Sequence, residues 1–417
     1  MMTFIVGAAT EIRGPSLVQR ILDRVIIAGG GPVGAVATFL LAREGIPVTM
    51  VERERGVVAD YRASTFHPPT LDLLERSGIS AALVDMGLIC PTMQIRDRRA
   101  GRIAEFDLSI LRNDTRHPYR LQCEQFKLVD WVYRQLRSIP GLDLRFGCSV
   151  VSLEQDDHGV KLEAEHDGER VTVTGDIVIA CDGGRSTVRK LIDMPFEGFT
   201  YPEYFLVAGT RFDFRAHMSD LCSVNYTADP VEWFLLLQIP DMWRVILPAD
   251  EKLSPDDAVS ERSLQSSLQN ILPRDEPYEI VVRAIYRVHQ RVAARYRRGR
   301  IFLAGDAAHL NNPLGGMGLN GGLHDVISLT DRLIAWCHGD ADDTILDAYE
   351  GQRRPEAINA IHAITARNKR LLEERDPEIR ARNLRDLERT ASDPALRYQY
   401  LLDAAMISSL RRSGMIG

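Results

Sequence analysis

The sequence predicts an α/β protein: a Rossmann-like dinucleotide-binding domain interleaved with a mostly antiparallel β-sheet domain, and then a helical C-terminal tail. Three observations predict it. The stretch "RVIIAGGGPVGAVATFLLAREGIPVTMVERE", Arg24 to Glu54, reads as strand, glycine turn, helix and second strand. Two further strand-then-glycine segments follow, "ACDGGRSTVRK" from Ala180 and "AGDAAHLNNPLGGMGLNGG" from Ala304. Between them, from about Phe196 to Val292, short apolar runs alternate with polar turns.

The elements follow in order. Val25 to Ala28 is a short apolar strand, and an apolar-periodic helix runs from about Val33 to Glu44 until Gly45 and Pro47 stop it. Val48 to Val51 is the second strand and ends in Glu52. "RASTFHPPTLDLLERSGI" is a loop closed by Pro68-Pro69 and a short helix. "LQCEQFKLVDWVYRQLRS" is helical, with Leu128, Val132 and Leu136 on one face. From Cys148 to Ala180 alternating runs broken by "DDHG" and "HDGE" read as a meander of hairpins. "RIFLAGDAAH" returns to strand and turn, and "GLHDVISLTDRLIAWCHG" to an amphipathic helix. This ordering predicts a discontinuous dinucleotide domain over 24–95, 121–195 and 294–346. A substrate-binding sheet is expected over 96–120 and 196–293, C-terminal helices over 347–417, and an extension of unassigned role over 1–23.

Composition narrows the function. The chain has 417 residues, 45% hydrophobic and 26% charged, which is ordinary for a globular protein. A net charge of -7 argues against a nucleic-acid partner, and "RYRRGR" at Arg295 to Arg300 reads as a solvated surface run. The six cysteines are scattered with no CxxC pair, which fits reduced thiols in a cytoplasm rather than a disulfide framework or a zinc site. No metal site is expected. No apolar run approaches the roughly 20 residues of a membrane helix, and "MMTFIVGAATEIRGPSL" has no basic leader, so neither a membrane span nor a signal peptide is expected.

The glycine segments carry the chemistry. Gly29, Gly31 and Gly34 have GxGxxG spacing between a strand and a helix. The first permits the tight turn, the second lets a pyrophosphate approach the backbone, and the third lets helix and strand pack closely. Glu52 stands where a carboxylate accepts ribose hydroxyls and would repel a 2′-phosphate, with Arg53 beside it. Asp182-Gly183 ends a strand; alone, it is more often a turn with a helix cap than a ligand site. Gly305-Asp306 ends another, at the carboxyl edge where doubly wound sheets bind ligands. Beyond Pro313, five glycines fall within eight residues, Gly315 to Gly322, and lead into a helix whose N-terminus favours negative charge.

These three sites, in this order, resemble the class A (single-component) FAD-dependent aromatic hydroxylases, the p-hydroxybenzoate hydroxylase-like flavoprotein monooxygenases. The resemblance runs from about Arg24 to Ala335. It implies that Gly29, Gly31, Gly34, Glu52 and Arg53 hold the ADP half of FAD. Arg62, in "RAS", would lie near flavin and phosphates, and Gln125 near the flavin and pyrophosphate, with Gln122 the runner-up. Asp182 and Gly183 would serve both FAD and NAD(P)H. Gly305 and Asp306 would bind the ribityl chain, Pro313 would flank the isoalloxazine ring, and the amides from Leu314 to Asn320, among them Gly315, Gly316, Gly318 and Leu319, would face its pyrimidine end. The sequence departs from the family at Ala180, where a glycine is common, and at Asn312, where many relatives have the first proline of a pair. It lacks the thioredoxin-like C-terminal domain of the phenol hydroxylase branch, which suggests the shorter branch.

The implied activity is insertion of one oxygen atom of O2 into a small phenol- or hydroxypyridine-like substrate, through a flavin 4a-hydroperoxide, at the expense of NADH or NADPH. The resemblance also admits a homodimer, although no segment reads as an interface. Catalytic candidates are Arg62, Pro313, His67 as an acid–base group, and Tyr226, a tyrosine for substrate deprotonation or simply a packed ring. His309 reads as structural. Arg211 and Arg244 would meet an acidic substrate or face solvent, as strand arginines usually do. The alternative is a flavin reductase or oxidase of the same fold without productive oxygenation. A halogenase would carry WxWxIP, which "EWFLLLQIPDMW" lacks. A non-catalytic flavin-binding protein would not need Arg62, Gln125 and Asp182 together.

Overall fold

The computed structural model describes residues 22–417; the extension expected over 1–23 lies, up to residue 21, outside the described residues. Strand Val25–Ala28 is the centre of a six-stranded sheet. It pairs in parallel with Val48–Glu52 on one side and Ile177–Ala180 on the other. Asp143–Phe146 and Ile301–Leu303 extend the sheet in parallel, and Arg297–Arg298 closes one edge antiparallel. Val25, Ile26 and Ile27 are each 0% exposed, as parallel strands covered on both faces require. Burial of side chains this size contributes about 1.5–3 kcal/mol each. Helix Pro32–Arg43 covers the sheet and packs against the 22-residue helix Met317–His338 and helix Gln125–Leu136.

The meander after Cys148 is an antiparallel sheet of Cys148–Gln155, Val160–His166 and Glu169–Gly175. Its turns have local causes. Asp156 accepts from the amides of His158 and Gly159. Asp167 and Gly168 both have positive φ, 51° and 85°, as a two-residue hairpin turn demands.

An eight-stranded sheet forms the second layer, in the order His309–Leu310, Ile280–Ala293, Phe196–Thr210, Met242–Pro248, Phe234–Ile239, Val224–Ala228, Thr92–Asp97, Gly101–Asp107. Every pair is antiparallel except Val224–Ala228 with Thr92–Asp97. The chain therefore enters this sheet at Thr92, ahead of the expected change at 95/96. The hairpin Thr92–Asp107 supplies its own partner strand, so both arms join together. His309–Leu310, expected in the dinucleotide domain, also adds to its edge.

The C-terminal helices are part of this layer. Leu372, Leu387, Leu401 and Ile407 share a buried cluster with Phe106, Tyr226 and Trp233 of the sheet. Helix Thr344–Glu356 carries Pro355, which has no N–H to give; a π-helical turn, Ala357–His362, follows before helix Ala363–Glu373 resumes. Among the described residues no helix is long and apolar enough to cross a membrane.

Candidate active site

The strand ends set the first wall. Gly29 has φ +101°, and its amide donates to Val51 O at 2.8 Å. A Cβ there would lie 2.5 Å from Cys181 O, and one on Gly34 would lie 1.9 Å from Gly29 O. On Gly31 a Cβ would meet nothing within 4 Å, so that backbone is open. Gly30, which sequence reasoning passed over, is equally constrained: a Cβ would lie 2.3 Å from the Tyr133 hydroxyl, which donates to Gly30 O. Glu52 accepts from the amides of Gly30 at 2.5 Å and Glu54 at 2.7 Å. Arg53 is exposed and pairs with Glu54.

The second wall joins the Asp182 and Asp306 segments. Asp182 Oδ2 accepts from the amides of Thr187 and Val188 at 2.7 and 3.0 Å, the first two of the helix whose N-cap is Ser186; its Oδ1 is buried with no partner among the described residues. Burial raises this carboxyl's pKa. Arg189 donates to Gly184 O and to Ala307 O, both at 2.9 Å, and stacks on Phe196. Asp306 lies on the short turn Gly305–Ala307, open to solvent along one side. His309 and Arg62 lie close enough to favour its charged form.

Behind this turn is a buried ion network. His309 Nε2 and the Gly305 amide meet Asp325 Oδ2 at 2.9 and 3.0 Å, and Arg353 Nε donates to Asp325 Oδ1 at 2.8 Å. All three side chains are at most 1% exposed. Burial pushes Asp325 up, but His309 and Arg353 outweigh it and hold the carboxyl below the usual range. His309 takes part in this scaffold.

The third wall is the loop after Pro313, itself half-buried. Asn312, fully buried, bends the chain by accepting from the Leu314 amide at 3.1 Å, and the Gly316 amide donates to Pro313 O. The helix begins at Met317, so Asn320 has the first amide with an intrahelical acceptor. The open amides are those of Gly315, Met317, Gly318 and Leu319, a shorter set than the expected Leu314 to Asn320. Asn320 acts through its side chain, which accepts from the His67 amide and Thr70 and donates to Thr65 O and Gly316 O. Gly321 and Gly322 belong to helix packing: a Cβ on Gly322 would lie 2.7 Å from Val33 and 3.0 Å from Gly305 Cα.

Other candidates separate clearly. His67 is the N-cap of helix Pro68–Leu74 and is fully buried, its Nε2 donating to Gly315 O at 2.8 Å. Burial, with Arg120 nearby, lowers its pKa to about 3. It is neutral and fixed across ordinary pH, which corrects the acid–base expectation. Gln122 is consumed by Ser64 and Thr65. Gln125 opens its helix half-buried, its side chain with no hydrogen-bond partner among the described residues. Arg62 is 63% exposed and paired to Asp60, whose carboxyl is pushed up by burial but held below the usual range by Arg62. Arg211 faces solvent beside Glu279. Arg244 does not face solvent: it is 1% exposed and donates to Ser64 Oγ and Arg62 O, bracing the Arg62 loop.

A pocket beside the third wall is lined by Gly315 and Met317, by Ile95 and Tyr226 of the large sheet, by Arg120, and by Asn368 of the tail. Tyr226 accepts from Arg120 Nη1 at 3.1 Å. The sequence reading missed Arg120 and the tail wall. Arg120 belongs to a three-residue strand, Arg120–Gln122, with no motif around it, and its burial depends on partners remote in the chain.

Open backbone at Gly31, an Asp182 oxygen without a partner among the described residues and amides without acceptors at a helix start are features that suit a phosphate-bearing cofactor with a polar ring edge. Residues 23–363 match the FAD binding domain family, and the chain belongs to it, as a class A FAD-dependent aromatic hydroxylase. It is 34% identical over 395 residues to para-nitrophenol 4-monooxygenase of Pseudomonas sp. (strain WBC-3), covering 94% of this chain and 97% of that one. It is 34% identical over 358 residues to 6-hydroxy-3-succinoylpyridine 3-monooxygenase of Pseudomonas putida, covering 85% and 90%. The crystal structure of p-nitrophenol 4-monooxygenase from Pseudomonas putida DLL-E4 superposes with a TM-score of 0.88 at 33% identity, covering 93% and 97%.

Proposed function

We infer that the protein is an FAD-dependent, NAD(P)H-consuming monooxygenase that inserts one atom of O2 into a small phenol- or hydroxypyridine-like substrate. One observation carries this reading. Gly315 and Met317, whose amides have no acceptor among the described residues, also line the pocket of Tyr226 and Arg120. An aromatic ring in that pocket would lie beside the same loop that would hold the flavin.

The residues fit FAD. Gly31 and the start of helix Pro32–Arg43 would receive the pyrophosphate, and Glu52 and Arg53 the adenosine end. Asp182, Gly183 and Gln125 would bind the middle of the cofactor, and Asp306, on Gly305, the ribityl hydroxyls. Pro313 and the amides of Gly315, Met317, Gly318 and Leu319 would flank the ring and favour negative charge on it. When bound, FAD supplies the redox chemistry, taking a hydride from NADH or NADPH and delivering the electrons to O2. Arg62, exposed, would orient nicotinamide donor and flavin. Tyr226 would hydrogen-bond the substrate oxygen. The pocket walls would exclude water from the reacting atoms.

The relatives above are monooxygenases, and a reductase or oxidase of the same fold is not favoured. Six scattered cysteines with no CxxC pair support a cytoplasmic setting. A homodimer is tested by light scattering after size exclusion. The decisive experiment mixes reduced holoenzyme with O2 and a panel of phenols and hydroxypyridines, under 18O2. Incorporation of one 18O atom into a product, with matching NAD(P)H consumption, is expected. NAD(P)H oxidation yielding only hydrogen peroxide across the panel would favour the reductase or oxidase.

A further inference from the structure

Arg120 is the unusual residue of the pocket. It is 3% exposed, makes one side-chain hydrogen bond, to Tyr226, and has no ion pair among the described residues. Its Nε is buried without a partner. An arginine stays protonated, so this is a buried cation whose only partner is neutral. Such a charge is costly unless an anion completes it. Tyr226 accepts from Arg120, which leaves its own O–H to donate. Arg367, exposed at the pocket, adds a second positive charge. No carboxylate lines the pocket.

The histidine and the thiol beside the pocket are poor bases. The titratable groups that face Arg120 are His67, Cys90, Tyr226 and Tyr400, with Arg367 beyond Tyr400. His67 donates its Nε2–H to Gly315 O, its Nδ1 is buried without a partner, and burial lowers its pKa to about 3. The Cys90 thiol is buried and pushed up to about 12. Neither His67 nor Cys90 takes a proton from a phenol near neutral pH.

We propose that the pocket takes up its substrate already ionised, as a phenolate-type anion seated on Arg120 and the Tyr226 hydroxyl, and so selects acidic phenols and hydroxyaromatics over neutral phenols. This rests on the reading of the site as a monooxygenase pocket and narrows its substrate class. Arg120 is the specificity-determining residue. Tyr226 is a donor to the anion rather than the base that makes it.

The test is binding to oxidised holoenzyme without NAD(P)H, followed by flavin and probe absorption. The probes are 4-nitrophenol, coloured as its anion, and 4-nitroanisole, its methyl ether, which cannot ionise. Affinity for total 4-nitrophenol should fall about tenfold per pH unit below the probe's own pKa and be flat above it. The bound probe should show the anion spectrum, and 4-nitroanisole should bind at least about 30-fold more weakly. Arg120→Met should lose at least about 30-fold for 4-nitrophenol and change 4-nitroanisole little, while Arg120→Lys retains part of the preference. Equal affinity for both probes, no binding of either, or a neutral bound spectrum overturns the proposal. If Arg120→Met loses FAD or fails to fold, the pH series on the unaltered enzyme decides alone. Anion-selective binding without coupled oxygenation would keep this proposal and remove the monooxygenase reading; efficient oxygenation of un-ionised phenols would do the reverse.

Discussion

Asp306 and Arg62 are close enough to interact electrostatically, and their substitution should separate holding the cofactor from reducing it. Asp306→Ala removes the carboxylate proposed to bind the ribityl hydroxyls, and the purified protein should be colourless; full FAD content by absorbance would remove Asp306 from that role. Arg62 is exposed and paired only to Asp60, so Arg62→Ala should fold and bind FAD but slow flavin reduction by NAD(P)H in stopped flow, about tenfold or more. Unchanged kinetics would take Arg62 out of the site. His67 gives a pH signature. Its folded pKa is about 3 against an ordinary 6.5, so the unfolded chain binds its proton first. Its contribution is complete above about pH 6.5 and is lost as pH falls toward 3, reaching a few kcal/mol, roughly, at the acid end. His67→Gln keeps an N–H for Gly315 O, and urea melts should show a flatter acid limb; a difference curve with no slope between those pH values would refute it. Asp306 and Arg62 were both singled out by motif position, which is local. The fixed, neutral state of His67 depends on a carbonyl 248 positions away, beyond any local pattern.

Helix Met317–His338 shows how one element serves two ends. Its first turn leaves amides open, while its second must lie against the fingerprint helix. Gly322→Val would drive a side chain into Val33 and Gly305, and should cost about 1–3 kcal/mol while displacing the Asp306 turn. A lower melting temperature and weaker FAD retention in the same variant are expected; a loss of stability with FAD affinity intact would mean that the turn moves independently of the helix. The strand–turn–helix units were legible because apolar periodicity and glycine spacing are local. The dense glycine cluster was legible as close approach but not as two kinds of it: Gly315 to Gly318 lead the open amides, and Gly321 and Gly322 meet other helices. Spacing alone does not say what lies opposite a missing Cβ. Arg244 was misread for the same reason, since its strand position is ordinary and its burial comes from the loop it braces.

Across the molecule, the sheet and the tail behave as one body. The sequence divided them because the tail is charged and helical where the sheet is apolar and extended. The structure joins them, since Leu372 is 1% exposed within a cluster that includes Phe106, Tyr226 and Leu401. Leu372→Ala should cost about 2–5 kcal/mol, and calorimetry should show tail and sheet melting in one transition. A separate low-temperature transition for the tail would contradict this. The tail also reaches the third wall, with Asn368 donating to Leu314 O at 3.1 Å and Gln290 bridging the Asn312 amide to His362 O.

The π-helical turn at Ala357–His362 stands just before the helix that supplies Asn368 to the pocket. A helix advances about 100° per residue, so a wide turn is a setting of phase. Removing one residue from it would swing Ile364, Asn368 and Leu371 by about that angle and bring other side chains of the same helix to face the substrate. The pocket's chemistry is thus adjustable from outside the pocket, by a change of length where none of the exchanged residues has itself been altered.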